Sequence, residues 1–178
     1  MKKIPTIFMR DMTKQPALVT PEWNPKCLWV RDGEGVATAK IDGTCCMVSG
    51  GKLFKRRECK DTDPVPDGFE LCERDVITGK SFGWVPVGDG PEDKWHREAF
   101  TGQEDGTYEL IGPKVQKNKY SLGSHELLRH GTLQNSAVPR EFEALREYLR
   151  NQEIEGYVWH HSDGRMAKIK RRDFGFRW

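Results

Sequence analysis

Alternating apolar and polar residues in the first third of the chain predict a meander of β-strands. The runs at 36–41, 44–49 and 52–57 are rich in β-favouring residues, and the turn dipeptides Asp42-Gly43 and Gly50-Gly51 separate them. We therefore expect three consecutive strands joined by two tight turns. In this arrangement Gly43 would supply the positive φ that the first turn needs.

The segment 139–152, PREFEALREYLRNQ, has the clearest helical periodicity in the chain. Its larger apolar residues recur along one side of a helix: Phe142, Leu145, Tyr148 and Leu149. Pro139 suits the first turn of this helix, and the apolar stripe predicts packing against a core. The shorter run SHELLRH, at 124–130, predicts a second helix.

Further strands are expected in four short stretches, namely 68–75, 107–112, 153–161 and 165–172, the last two joined by the turn SDG. The segment 83–95 is rich in Pro and Gly and predicts a surface loop or lid. Residues 1–35 are rich in Pro, Lys and turn residues. We expect them to form an arm that packs on one domain over 36–178, without a separate carboxy-terminal domain.

Composition is that of a globular protein with a charged surface. Of 178 residues, 36% are hydrophobic and 31% are charged, which is enough apolar material for one sizeable core. The sequence has no apolar run long enough to span a membrane. It also lacks the apolar centre of a secretory signal. These features predict a cytoplasmic protein that does not associate with a membrane.

The five cysteines are odd in number and irregularly spaced, which argues for a reducing compartment rather than a disulfide framework. The five histidines do not fall at zinc-finger spacings from these cysteines. The spacing therefore argues against a structural zinc site.

Two basic clusters stand out against a net charge of +2. Residues 52–60 carry five positive side chains and one negative, and residues 165–178 carry six positive and one negative. Concentrated positive charge of this kind attracts polyanions. Solvated strand edges, where lysines guard against aggregation, are the alternative interpretation.

Five short motifs occur in a definite order along the chain. They are KIDG at 40–43, FKRRE at 54–58, YELIG at 108–112, EGYV at 155–158 and AKIK at 167–170. Together they resemble the ordered motifs of covalent nucleotidyltransferases, the superfamily of ATP-dependent ligases and capping enzymes. More narrowly, residues 30–178 resemble the small ATP-dependent 5′-to-3′ RNA ligases of the human RNA ligase 1 type.

The resemblance implies an α+β fold: a single, ATP-grasp-like adenylylation domain with mixed, mostly antiparallel sheets and flanking helices. It also implies a three-step reaction. Lys40 would attack the α-phosphate of ATP to form lysine-AMP, AMP would pass to the 5′-phosphate of an RNA end, and a 3′-hydroxyl would then displace AMP. RNA repair is the implied role.

The chemistry of lysine makes demands on the surroundings of Lys40. An ordinary lysine has a pKa of about 10.4, so keeping Lys40 neutral at pH 7 costs roughly 4.6 kcal/mol. Nearby cations and desolvation lower that cost. Lys168 and Lys170 alternate along one strand, so they share a face, and the resemblance implies that they also neutralise the α-phosphate in the transition state.

The resemblance assigns further residues to the nucleotide and to a metal. Glu155 matches the glutamate that binds catalytic Mg²⁺ or Mn²⁺, and Glu109 matches a glutamate expected near the ribose or the metal. Asp42 would orient the phosphate site. Arg56 matches the arginine that holds the 5′-phosphate or the ribose region, with Arg57 as the alternative.

Several points stay open at the level of sequence. Tyr120, Phe142 and His130 are candidates for stacking on adenine, and none is assigned. We expect a monomer that binds RNA with 5′-phosphate and 3′-hydroxyl ends, either alone or with an accessory RNA-binding or end-healing protein. The alternatives are a DNA ligase, a GTP-dependent capping enzyme, or a nonenzymatic RNA-binding module of the same fold.

Overall fold

The computed structural model describes residues 2–76 and 78–177. In chain order the strands are β1 (Phe8–Asp11), β2 (Leu18–Trp23), β3 (Val36–Lys40), β4 (Thr44–Ser49), β5 (Lys52–Lys60), β6 (Glu70–Asp75), β7 (Lys80–Pro86), β8 (Gly106–Ile111), β9 (Glu126–Arg129), β10 (Gly156–His160) and β11 (Met166–Lys170). The α-helices are α1 (Leu28–Arg31), α2 (Lys94–Ala99) and α3 (Phe142–Arg150). Short 3-10 turns occur at Pro25–Cys27, Pro91–Asp93, Gln116–Asn118 and Arg171–Phe174.

The chain folds into two compact units. The first unit, unit A, consists of Asp42–His130 together with the amino-terminal residues up to Lys3. The second, unit B, consists of Ile4–Ile41 and Gly131–Trp178. The chain therefore passes from unit B to unit A directly after Ile41, within the KIDG motif.

Unit B contains a three-stranded antiparallel sheet in the order β11-β10-β3. Buried residues from the sheet, from the β1-β2 hairpin and from α3 form its core, including Phe8, Leu145, Leu149, Trp159 and Ile169. Leu145 and Leu149 are fully buried, which confirms the predicted packing of the α3 stripe. The helix begins at Phe142 rather than at Pro139, because Glu141 still has extended backbone angles.

The amino-terminal residues contribute strands to unit B. Beyond the β1-β2 hairpin, the segment before β1 hydrogen-bonds to β11: Lys168 N donates to Pro5 O, and Ile7 N donates to Lys168 O. Ile7 and Phe8 are almost completely buried. The predicted domain boundary at residue 35 stays a prediction.

Unit A is built on a six-stranded antiparallel sheet in the order β6-β7-β5-β4-β8-β9. Its core lies on one face of this sheet and contains Cys46, Val48, Tyr108, Leu110 and Leu127, with Ala99 from α2 packed among them. Because side chains alternate along a strand, the residues next to Cys46 and Tyr108 point to the opposite face.

The predicted tight turn at Asp42-Gly43 is wrong. Strand β3 pairs with β10, whereas β4 pairs with β5 and β8, so the two runs belong to different sheets. Gly43 does not have a positive φ. A side chain there would collide with the Leu110 carbonyl and the Glu109 side chain, so glycine is needed for close packing.

Two other predictions are wrong in part. The segment 124–130 is not a helix, because Glu126–Arg129 pairs with β8 and buries Leu127 in the core. Tertiary pairing here overrides a weak local preference. The predicted loop 83–95 instead begins within β7, where Trp84 is buried, and ends in the Pro91–Asp93 turn and the first residues of α2.

The α+β class with mostly antiparallel sheets is confirmed. The second predicted turn, at Gly50-Gly51, joins β4 to β5, and both glycines have positive φ. None of the helices in the described ranges is long and apolar enough to cross a membrane.

Candidate active site

Two lysines contact one buried carboxylate in unit B, and a third lysine lies nearby on β11. Glu155, which is only 5% exposed, accepts hydrogen bonds from Lys40 Nζ and Lys170 Nζ, each at 2.5 Å and each to a different carboxylate oxygen. Lys168 lies two residues before Lys170 on β11. The predicted residues Lys40, Glu155 and Lys170 are therefore brought together in space.

The strand register explains this arrangement. Gly156, the first residue of the central strand β10, lies opposite Lys40 on one side and Lys170 on the other. Glu155 directly precedes it and can therefore reach the lysines of both neighbouring strands. A side chain at Gly156 would collide with the Ile169 carbonyl, so the glycine of the EGYV motif permits the close approach of β11.

Burial and neighbouring cations lower the pKa values of two lysines. Burial, followed by the positive charges of Lys170 and Lys40, lowers the pKa of Lys168 to about 8. Burial and the charge of Lys40 also lower the pKa of Lys170, although the hydrogen bond to Glu155 partly opposes this shift. Within the described ranges, the Lys168 ammonium has no ion-pair partner, so it can bind an anion.

The strand alternation predicted for AKIK is confirmed. Ala167 and Ile169 are completely buried in the core of unit B, while Lys168 and Lys170 point to the other face. Asp173, which the sequence analysis missed, stabilises the end of this strand. Its carboxylate accepts a hydrogen bond from Lys170 N at 2.9 Å. It also forms an ion pair with Arg10 at 2.7 Å.

The donor chemistry of Glu155 fits a hard divalent cation such as Mg²⁺, which binds proteins through one or two carboxylates and leaves other positions to water and phosphate. Both of its oxygens already contact lysine ammonium groups. Each oxygen keeps a second lone pair, through which Glu155 would hold the ion beside the lysines.

Unit A holds a second cluster of predicted residues, around the start of β4. Gly43 N donates to Glu109 Oε1 at 3.0 Å, and His130 Nε2 lies 2.8 Å from Glu109 Oε2. Glu109 is 9% exposed. The third motif thus supports the backbone that follows Lys40 in sequence, a role that spacing alone did not indicate.

The backbone of the KIDG motif is also held by the segment after the third motif. Asp42 N donates to the Tyr120 hydroxyl at 2.8 Å, and the Asp42 carboxylate pairs with Lys119 at 2.6 Å. Just before them, Gln116, Lys117 and Asn118 have positive φ values of 45°, 59° and 52°. Such consecutive left-handed residues store strain, which is common where a backbone is shaped for binding.

Strand register distinguishes Arg56 from Arg57. Cys46 lies opposite Lys55, so Lys55 and Arg57 share the core face, while Arg56 shares the face of Cys45 and Glu109. The Arg56 guanidinium lies 4.7 Å from the centre of the Phe82 ring. Arg56 is therefore the arginine on the sheet face of Glu109, and its contact with a nucleotide or RNA end stays a prediction.

The three aromatic candidates for adenine stacking have different surroundings. Phe142 packs in the core of unit B, with ring centroids 5.1 Å from Phe8 and 5.2 Å from Phe174. Tyr120 and His130 belong to unit A and contact Asp42 and Glu109, respectively. The position of Phe142 is that of a core residue.

These features, in the order in which the motifs occur, resemble those of the covalent nucleotidyltransferase class. Comparison with known proteins agrees. The family model "RNA ligase 1" matches residues 97–178. RNA ligase 1 of Danio rerio is 26% identical to this chain over 99% of the chain and 82% of the relative, and RNA ligase 1 of Mus musculus is 25% identical over 99% and 81%.

The chain is therefore similar to RNA ligase 1 over nearly its whole length, and the resemblance predicted from the motifs is confirmed. The family match covers the third motif, EGYV and AKIK, whereas the relatives align across KIDG as well.

Proposed function

We propose that this protein is an RNA ligase that uses ATP to join 5′-phosphate and 3′-hydroxyl RNA ends through a lysine-AMP intermediate on Lys40. The similarity to RNA ligase 1 supports the ligase assignment. The observation that carries the chemistry is the contact of Lys40 and Lys170 with one buried carboxylate, with Lys168 beside them on β11.

In the first step, the Lys40 amine attacks the α-phosphorus of ATP. A nitrogen–phosphorus bond forms, the bond to pyrophosphate breaks, and Lys40 loses a proton. Glu155 Oε2 accepts a hydrogen bond from Lys40 Nζ, so it is placed to receive that proton. Positive charge from Lys168 and Lys170 would stabilise the oxygens of the phosphate as their charge increases.

Glu155 is also the residue that would hold Mg²⁺ or Mn²⁺. When bound, such an ion neutralises phosphate charge and orients the leaving group. In unit A, Glu109, Asp42 and Arg56 would contact the nucleotide or the RNA end. The exposed basic residues of β5 would bind the RNA backbone with little sequence preference and with an affinity that falls as salt rises.

Labelling with ATP tests this function directly. Incubation with α-labelled ATP and Mg²⁺ or Mn²⁺ is expected to transfer one labelled AMP to the protein, stable on a denaturing gel. Addition of RNA with 5′-phosphate and 3′-hydroxyl ends should release the label and give joined RNA. Labelling by GTP alone would indicate a capping-type enzyme, and joining of DNA alone would indicate a DNA ligase. Absence of any adduct from folded protein free of prior AMP would contradict the proposal.

The lowered pKa of Lys168 predicts a descending limb in the pH profile of adenylylation. This side chain carries its charge below a pKa of about 8 and loses it above that value, so stabilisation of the phosphate falls as pH rises. In Lys168→Arg the guanidinium stays charged throughout the range. We expect the ratio of the wild-type rate to the Lys168→Arg rate, measured in single turnovers from pH 7 to 10, to fall above about pH 8. A constant ratio would assign the limb to another group.

A further inference from the structure

We propose that Cys45, Glu109 and His130 form a binding site for a zinc-type divalent cation on unit A. One ligand atom from each residue lies within 4.8 Å of the other two. The three residues are far apart in sequence, which explains why a search for zinc-finger spacings does not find them. All three residues belong to unit A.

Strand pairing places the three side chains on the same face of the sheet. Cys45 on β4 lies directly opposite Glu109 on β8, so their side chains are neighbours. His130 follows β9 directly, and its backbone N donates to Thr107 O, two residues before Glu109. Adjacent core-facing residues Cys46, Tyr108 and Leu110 are buried on the other face.

The distances suit a tetrahedral metal after small side-chain movements. Zinc binds thiolate sulfur at about 2.3 Å, imidazole nitrogen at about 2.0–2.1 Å and carboxylate oxygen at about 2.0–2.2 Å. Tetrahedral ligand atoms are then roughly 3.3–3.6 Å apart, so contraction by about 1 Å is sufficient. His130 Nε2 and Glu109 Oε2 are 2.8 Å apart, so this pair must separate by about 0.5 Å to admit the ion.

The environment of His130 gives independent support. Its Nδ1 atom is buried and has no hydrogen-bond partner within the described ranges, and its Nε2 atom contacts only the carboxylate of Glu109. The His130 side chain as a whole is 25% exposed, but a buried ring nitrogen in a purely structural role normally has a hydrogen-bond partner. Glu109 is itself buried, which limits competition from water.

The donor set selects the class of metal. A thiolate with an imidazole and a carboxylate suits zinc and similar borderline-soft ions, whereas Mg²⁺ prefers oxygen ligands alone. Three protein ligands leave a fourth position for water or another ligand. Binding replaces the thiol proton of Cys45, which is released to solvent.

Cobalt spectroscopy of the full chain tests the site. Protein treated with a chelator and kept reduced is titrated with Co²⁺, and thiolate-to-cobalt charge transfer is followed in the near ultraviolet. We expect one equivalent of Co²⁺ to produce the band and Zn²⁺ to displace it. Cys45→Ser should remove the band, and His130→Ala should weaken Zn²⁺ binding at least about tenfold, since even loss of an outer partner costs that much.

Cys72→Ser is the matched control, because Cys72 lies on β6 at the far edge of the same sheet from β9. This variant should bind both metals like the wild type, and circular dichroism checks the folding of every variant. The proposal is overturned if wild-type protein gives no thiolate band, or if the band survives in Cys45→Ser. The readout does not depend on adenylylation, so failure of the metal site and failure of the ligase proposal can be told apart.

Discussion

Replacement of Lys40 by arginine is expected to abolish covalent labelling by ATP. Arginine keeps the positive charge that pairs with Glu155, but its guanidinium stays protonated near neutral pH and cannot act as the attacking amine. We expect the rate of adduct formation to fall by at least about a thousandfold, as when other enzymes lose their nucleophile. Intact mass spectrometry and a denaturing gel with α-labelled ATP measure the loss.

Lys14→Arg is the matched control for this substitution. Lys14 lies between β1 and β2, is 60% exposed and is outside the motifs, so this variant should be labelled at the wild-type rate. Digestion of labelled wild-type protein should place AMP on the peptide that contains Lys40. Wild-type labelling of Lys40→Arg, or AMP on a different peptide, would show that another residue is the nucleophile.

Replacement of Lys168 by methionine is expected to slow adenylylation by about 100- to 1000-fold at saturating ATP, the usual cost of losing one group that stabilises charge in a transition state. Methionine retains much of the length and volume of the lysine stem but removes its charge. Since burial and neighbouring cations already disfavour the charged form of Lys168, loss of that charge should not destabilise the fold.

This expectation separates a chemical effect from unfolding. Single-turnover labelling measures the rate, and thermal unfolding measures stability. The midpoint of unfolding for Lys168→Met should equal or exceed that of the wild type, while Lys168→Arg should retain much of the activity. Two results would contradict a role for this charge in catalysis. One is a Lys168→Met rate close to the wild-type rate, and the other is a slow variant whose midpoint of thermal unfolding is clearly lower.

Local patterns were sufficient for several elements. Alternation around Ile169 predicted a strand with the lysines on one face, and the apolar spacing around Leu145 and Leu149 predicted a helix packed on a core. Both features depend on residues that are close in sequence, within one or two helical turns or a few strand positions. Over such distances the period of the backbone directly sets which side chains share a face.

Strand partners were harder to predict. The runs on either side of Asp42-Gly43 have the composition of a hairpin, yet β3 pairs with β10 and β4 with β5 and β8. A run's β-propensity does not identify its partner, because many pairings satisfy the same local preference. The segment Glu126–Arg129 is strand for a similar reason: pairing with β8 buries Leu127 and outweighs a weak helical tendency.

The sequence by itself determined the order of the motifs, the identity of Lys40, Glu155, Lys168 and Lys170 as candidates, and the α+β class. Only the tertiary structure decided that Glu155 contacts Lys40 and Lys170, that Arg56 rather than Arg57 shares the face of Glu109, and that Cys45 and His130 meet there. The physical reason is the range of the interactions. Periodicity and turn chemistry act between near neighbours, whereas these contacts join residues that only the pairing of distant strands brings together.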